Sequence, residues 1–200
     1  MKKLLYLFII ISFTSCMDKK QPVLGDTTWQ KKQNADFKDA SKSPLKDKDR
    51  KDFKTLDFFD FDSTYVVTAT LEKTPNSNWF EMETTTSRVS EERIFGIATF
   101  NIKGKTHQLN IYQGKEHLQK EGFEDYLFLP FIDETNGEQT YGGGRYLDLR
   151  IPENNTIIID FNKAYNPYCA YNEKYSCPIV PLENEVTIPV EAGVKAFIKK

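Results

Sequence analysis

Histidine and cysteine are scarce, two and three in 200 residues, too few for the usual Cys/His zinc cluster. Net charge is nearly absent too. The 27 basic and 29 acidic residues leave a formal −2, which argues against a nucleic-acid binder that works through net charge. The chain has no Cys-x-x-Cys pair, no Gly-x-Ser-x-Gly elbow and no internal repeat. The apolar run from Leu4 to Phe13 is roughly ten residues, about half of what a membrane-crossing helix needs. What is present is a 39% hydrophobic, 14% aromatic composition. That suffices for one domain with a real core and is too apolar for a wholly disordered chain.

The cationic start Met1-Lys2-Lys3, the short apolar run and the small residues Thr14 and Ser15 before Cys16 read as a secretory signal over residues 1–15. Phe13-Thr14-Ser15-Cys16 resembles a bacterial lipobox. The resemblance implies that Cys16 carries a diacylglyceryl group and becomes the new N-terminus, so the protein is expected to be a lipid-anchored membrane protein of the cell envelope. An uncleaved anchor helix or a soluble secreted protein is the alternative. The mature chain then keeps Cys169 and Cys177. In an oxidising compartment they can close a small disulfide loop, worth about 2–3 kcal/mol by loop entropy; two free thiols are the competing reading.

Residues 16–27 carry Pro22 and Gly25 and read as a tether. From Asp18 to Lys54 there are eleven Lys/Arg against seven Asp, a balance of +4; from Leu56 onward the balance is −8. Asp26-Thr27-Thr28 can cap a helix to about Ala40, with Trp29, Ala35 and Phe37 as its apolar side. Ser43-Pro44 breaks it, and a second short helix runs from about Lys46 to Thr55. The second helix ends at the aromatic run Leu56, Phe58, Phe59 and Phe61; residues 28–62 read as an N-terminal helical segment packing on the main domain, its helices otherwise solvated like a stalk.

From residue 63 to 200 the hydrophobic period is two. Tyr65, Val67, Ala69 and Leu71 alternate with polar positions, as do Ile94, Ala98, Phe100 and Ile102. With Lys103-Gly104 as its loop, a hairpin pairs Phe100 with His107 and Ala98 with Leu109. Further strands are expected at 79–85, 126–131, 145–151, 156–162 and 185–190. No long helical pattern separates them. The expected fold is therefore all-β: a mainly antiparallel sandwich or partly closed barrel of about eight strands, preceded by one or two short helices. The strand 156–162, apolar on both faces, is expected to be central.

Several motifs mislead. Gly104-Lys105-Thr106 imitates the end of a phosphate loop, but Thr99 stands where the first glycine is required and a strand follows instead of a helix. Asp133 to Gly137 is polar like a calcium loop without its carboxylate spacing. His107 and His117 read as structural or solvent-facing. No metal site and no cofactor are expected.

One constellation has more content. Asp133 continues the parity of Leu127, Leu129 and Phe131, and Arg145 precedes Leu147, Leu149 and Ile151 in the same way. Both should meet at the core-facing mouth of a hairpin, since a buried guanidinium needs a carboxylate. Pro130 places the first of these strands at an edge or disturbs its parity. Thr140-Tyr141-Gly142-Gly143-Gly144 between them permits close approach of another group. Pro130 to Asp133, Thr140 to Asp148, Asp160 to Tyr171, Cys177-Pro178, Glu183-Asn184 and Ala192-Gly193 together resemble the hallmark blocks of domain-of-unknown-function family 1684, over roughly residues 40–198. The family brings no established activity. Val180 and Val194 depart from its usual proline and glutamate.

Two functions fit these residues. In the first, Asp133, Arg145, Asp160, Asn162 and Asn166 meet aromatic walls from Tyr141, Tyr146 and Tyr171, and the domain binds a small polar or anionic ligand or an envelope protein without catalysis. In the second, Asp133 or Asp160 is the general base of a hydrolase and Arg145 stabilises developing negative charge.

Overall fold

Period-two segments separated by turn residues can bury their apolar faces only by pairing, and they do so in one curled sheet. The computed structural model describes residues 25–198; the expected signal, the Cys16 lipidation site and the tether up to residue 24 lie outside the described residues. Helices α1 (Thr28–Lys38) and α2 (Asp47–Lys51) precede strands β1 (Val66–Lys73), β2 (Phe80–Glu83), β3 (Val89–Ile102), β4 (Lys105–Gly114), β5 (Tyr126–Asp133), β6 (Arg145–Arg150), β7 (Thr156–Asp160) and β8 (Glu185–Val186).

The sheet runs β6-β5-β4-β3-β1-β7, with β2 on β3 and β8 on β5. Every pairing is antiparallel except β5 with β8. Past β7 the chain bends back, and Tyr146 and Tyr165 exchange two backbone hydrogen bonds of 2.9 and 3.0 Å. That bridge joins the two ends of the path, so the architecture is a partly closed barrel and not a pair of stacked sheets. Its inside holds alternate residues of every long strand, among them Ala69, Leu71, Ala98, Ile111, Leu127, Phe131, Leu147 and Ile159. The β3–β4 hairpin turns at Lys103 (φ 48°) and Gly104 (φ 79°), the two positive φ values of a type I′ turn, and this sets Phe100 opposite His107 and Ala98 opposite Leu109.

Four expectations need correction. Strand β7 is not central: it pairs with β1 alone, and its Ile158 is 64% exposed. A single solvated isoleucine is tolerated, so an apolar residue on the second face did not require a second neighbour. The expected strand at 185–190 pairs only at Ile132–Glu185 and Asp133–Val186, in parallel; beyond it Ile188, Val190 and Ala192 still point into the core without a ladder. Helix α2 covers five residues and buries none of them, because it has no apolar stripe to hold it. Finally, the N-terminal segment packs on the main domain along its length and is not solvated like a stalk. Thr27 and Gln30 form a reciprocal capping box for α1, and Phe37, Leu45, Leu56 and Phe58 pack with Ala170, Tyr171 and Val194 in a second cluster.

Pro130 sits within β5, paired with Tyr146 of β6. Having no N–H, it cannot continue the ladder toward β4, and β4 meets β5 in register only at Tyr112–Phe128. The gap is filled by the fully buried Asn184. Its Oδ1 accepts from the Asn110 amide (2.9 Å), and its Nδ2 donates to the Asn110 and Pro130 carbonyls (2.8 and 2.7 Å).

Candidate functional site

The parity that carries Leu127, Leu129 and Phe131 inward carries Asp133 with them, and β6 starts with Arg145 on the same side. Arg145 Nη2 lies 2.8 Å from Asp133 Oδ2, and neither side chain has any solvent exposure. The other carboxylate oxygen accepts from the Thr135 amide (2.9 Å), the Thr135 hydroxyl (2.7 Å) and the Val190 amide (3.0 Å). Arg145 also donates to the Val190 carbonyl (2.8 Å) and the Ala192 carbonyl. Burial pulls its guanidinium below the usual range, opposed by Asp133. The pair therefore ties the chain after β8 to the β5–β6 hairpin. Its charges are sealed from any ligand, so Arg145 cannot hold an external anion.

The remaining expected residues do not join it. Asp160 caps the turn Phe161–Lys163 through the Asn162 amide (3.1 Å) and pairs with Lys163 at 3.1 Å. Asn162 grips the Asp62 backbone on both sides, at 3.0 and 2.9 Å. Asn166 donates to the Lys195 carbonyl (2.8 Å) and toward the Tyr171 hydroxyl (3.3 Å); Tyr171 is itself buried against Phe37, 4.8 Å between ring centroids. Tyr141 packs in the second cluster. Tyr146 lines a cavity, and it does so from the other side of the sheet. Being adjacent to Arg145, it points outward.

That cavity, about 510 Å³, lies against the outer face of β5 and β6. Tyr126 of β5 and Tyr146 and Asp148 of β6 share this face by parity, and Tyr165, Tyr168, Tyr175 and Cys177 cover it from the segment after β7, with His117 and Phe123 at the near end. Asp148 Oδ1 accepts from two hydroxyls, Tyr165 at 2.6 Å and Tyr126 at 2.8 Å. The Tyr146 hydroxyl donates to the Pro178 carbonyl. Burial pushes the Tyr126, Tyr146 and Tyr165 phenols well up and His117 down, so all are neutral near pH 7. Tyr146 and Tyr165 meet edge to face at 5.9 Å, as do Tyr168 and Tyr175 at 5.2 Å. One signal for this cleft was readable: Tyr146 and Asp148 are two apart on a strand whose intervening residues face the core. The tyrosines from 165 to 175 have no comparable spacing.

Beside the cleft sit Cys169 and Cys177. The expected bridge is not formed, and both are free thiols. The turn at Tyr168–Ala170 instead aims the Cys169 amide at Cys177 Sγ, 3.0 Å away. Hydrogen bonding by the Cys177 thiol brings Cys169 down to about 6, against burial and with help from Tyr141 and Thr85. The same contact pushes Cys177 well up. Among the described residues no group of three His, Cys, Asp or Glu is placed to hold a metal ion.

A partly closed, mainly antiparallel barrel braced from within by an ion pair, with an aromatic cleft on its outer wall, defines the class of fold. The chain belongs to the family described as "Protein of unknown function (DUF1684)", whose model matches residues 51–195. It is similar to an uncharacterised protein of Haloarcula marismortui solved by solution NMR, at 31% identity over 83% of this chain and 89% of that one, with a TM-score of 0.66. No curated protein matches it.

Proposed function

We propose that the chain is a non-catalytic envelope lipoprotein whose barrel binds a small polar molecule in the tyrosine-walled cleft. The observation that carries this reading is Asp148, a carboxylate held by two tyrosine hydroxyls at 2.6 and 2.8 Å in the wall of a cavity of about 510 Å³. A concave, mostly apolar site with a few oriented polar groups is the usual form of a small-molecule pocket. The hydrolase reading loses its base: both oxygens of Asp133 are engaged out of solvent's reach, and Asp160 serves a cap and an ion pair away from the cleft.

The test is a thermal-shift screen of small polar metabolites, followed by amide NMR mapping of each stabiliser. Stabilisers should shift signals around Tyr126, Asp148, Tyr165 and Tyr175. A screen without stabilisers, or shifts confined elsewhere, overturns the reading.

Envelope anchoring through Cys16 rests on the lipobox resemblance. Mass spectrometry of the processed protein should find a diacylglyceryl group on Cys16 as the N-terminal residue, and Cys16→Ser should release the protein from membranes. An unmodified Cys16 in a membrane-free fraction removes this part of the proposal.

A further inference from the structure

We infer that the cleft's ligand carries a methylated ammonium group, seated on the tyrosine rings beside Asp148. This rests on the cleft being a binding site and adds the chemical class of what it binds.

Three features of the lining select that class. Its one ionised side chain is a carboxylate, and it contains no Lys or Arg, so an anion entering it would meet like charge. Three of its hydroxyl hydrogens are already engaged. The hydroxyl hydrogens of Tyr126 and Tyr165 go to Asp148 and that of Tyr146 to the Pro178 carbonyl, and its prolines have no N–H. What the cleft does offer is negative potential, from one carboxylate and from the faces of aromatic rings, which attract cations through their quadrupole.

The geometry separates a methylated ammonium from an N–H-bearing one. Asp148 Oδ1 already takes two hydroxyls, which leaves one oxygen for a group with two or three N–H donors to satisfy. A quaternary centre needs no acceptor, only charge and contact area. The Tyr146–Tyr165 and Tyr168–Tyr175 pairs stand at interplanar angles of 88° and 63°, so their rings form corners and not a flat wall. Three of the lining rings already hold the protein's own cations: Lys120 Nζ is 4.3 Å and the Arg150 guanidinium 5.5 Å from the Phe123 centroid, Arg150 is 5.9 Å from that of Tyr126, and Lys174 Nζ is 5.0 Å from that of Tyr175. Among the described residues, no such contact occupies Tyr146, Tyr165 or Tyr168.

The experiment titrates the folded chain with choline and, separately, with its uncharged carbon isostere 3,3-dimethylbutan-1-ol, following amide NMR shifts; glucose serves as a neutral polar probe. Choline should saturate signals of Tyr146, Tyr165 and Tyr168, and the isostere should bind about tenfold more weakly. Asp148→Asn keeps an acceptor for both hydroxyls, so the walls hold, and it should weaken choline by a similar factor. Tyr165→Phe keeps the ring and should retain binding. Equal affinity for choline and the isostere overturns the assignment, as does an Asp148→Asn variant that binds choline as tightly as the parent. Glucose shifting the cleft signals while choline does not overturns the ligand class and leaves the cleft a binding site. Failure of all three probes, together with a blank metabolite screen, overturns both.

Discussion

Asp133 and Arg145 meet at 2.8 Å with no solvent on either side chain, and between them they satisfy backbone groups of Thr135, Val190 and Ala192. A buried ion pair is worth little relative to an apolar replacement, yet losing one partner strands a charge in low dielectric. Asp133→Asn and Arg145→Met should each cost about 3–5 kcal/mol in urea unfolding. The double variant should cost about 2 kcal/mol less than the two losses added. It will not reach parity, because the Val190 and Ala192 carbonyls lose their donor when Arg145 is replaced. Strict additivity of the singles would mean that the two charges do not act as a pair.

How far this arrangement was readable follows from the rule that successive strand residues alternate faces. The rule brought Asp133 and Arg145 together across an eleven-residue loop, and the Lys103-Gly104 turn fixed the register of the neighbouring hairpin. The same rule, applied one residue further, places Tyr146 on the opposite face, so no aromatic wall forms over the ion pair. Asp160, Asn162, Asn166 and Tyr171 join it in the sequence reading through the end of the 156–162 strand and the blocks of the family resemblance. Each instead serves a separate local bond, at a turn, at the Asp62 backbone, at the Lys195 carbonyl and against Phe37. The cleft was hidden for a different reason. Its walls come from β5, β6, the chain around His117 and the segment after β7, and the approach of these four is a tertiary fact with no period in the sequence.

The thiol pair predicts an unusual titration. Cys169 is held at about 6, first by the Cys177 thiol, so it is mainly thiolate at neutral pH. Its rate of alkylation by iodoacetamide should rise with a midpoint near pH 6. Cys177→Ala should move that midpoint toward the ordinary thiol value of about 8.5. The sign for stability follows: because folding lowers this pKa, Cys169 stabilises the fold fully above the unfolded value, and that contribution disappears as pH falls through about 6. A midpoint near 8.5 in the parent contradicts the arrangement. Labelling that requires reductant would reinstate the disulfide.

His107 gives a second pH dependence. It is 6% exposed, its ring tilted against Phe100 at 5.8 Å between centroids, and burial followed by Lys105 lowers its pKa. The folded protein therefore binds fewer protons here than the unfolded chain does. Stability from this group is complete above about 6.5, the unfolded value, and is lost as pH falls from there through the lower folded value. His107→Phe keeps an aromatic ring against Phe100 and removes the titration. Urea midpoints measured at pH 7.5 and pH 5 should accordingly differ less in the variant than in the parent. Equal differences would show that His107 takes no part.

Asn184 makes the sharpest structural prediction, because its side chain stands in for a ladder that Pro130 prevents. Its amide joins two carbonyls and one N–H of strands that otherwise part company, and its own carbonyl accepts from Ile132 at 2.9 Å. Asn184→Ala leaves three buried backbone groups without partners, and at a desolvation cost of about 1–3 kcal/mol for each such group it should lose about 3 kcal/mol or more. Asn184→Asp should be worse than Ala despite its nearly identical shape. The aspartate can still accept from the Asn110 amide, but its second oxygen faces the Asn110 and Pro130 carbonyls with no proton to give unless it stays neutral. Its stability should therefore recover partly at low pH, where the carboxyl is protonated and can donate to one of them, while Ala should show no such recovery. Hydrogen exchange localises the effect: the Asn110 amide should exchange faster in the Ala variant, and the amides of the β3–β4 hairpin near Lys103 should change only as much as global stability requires. Protection of Asn110 unchanged in Asn184→Ala would mean that β4 and β5 are held together without this side chain.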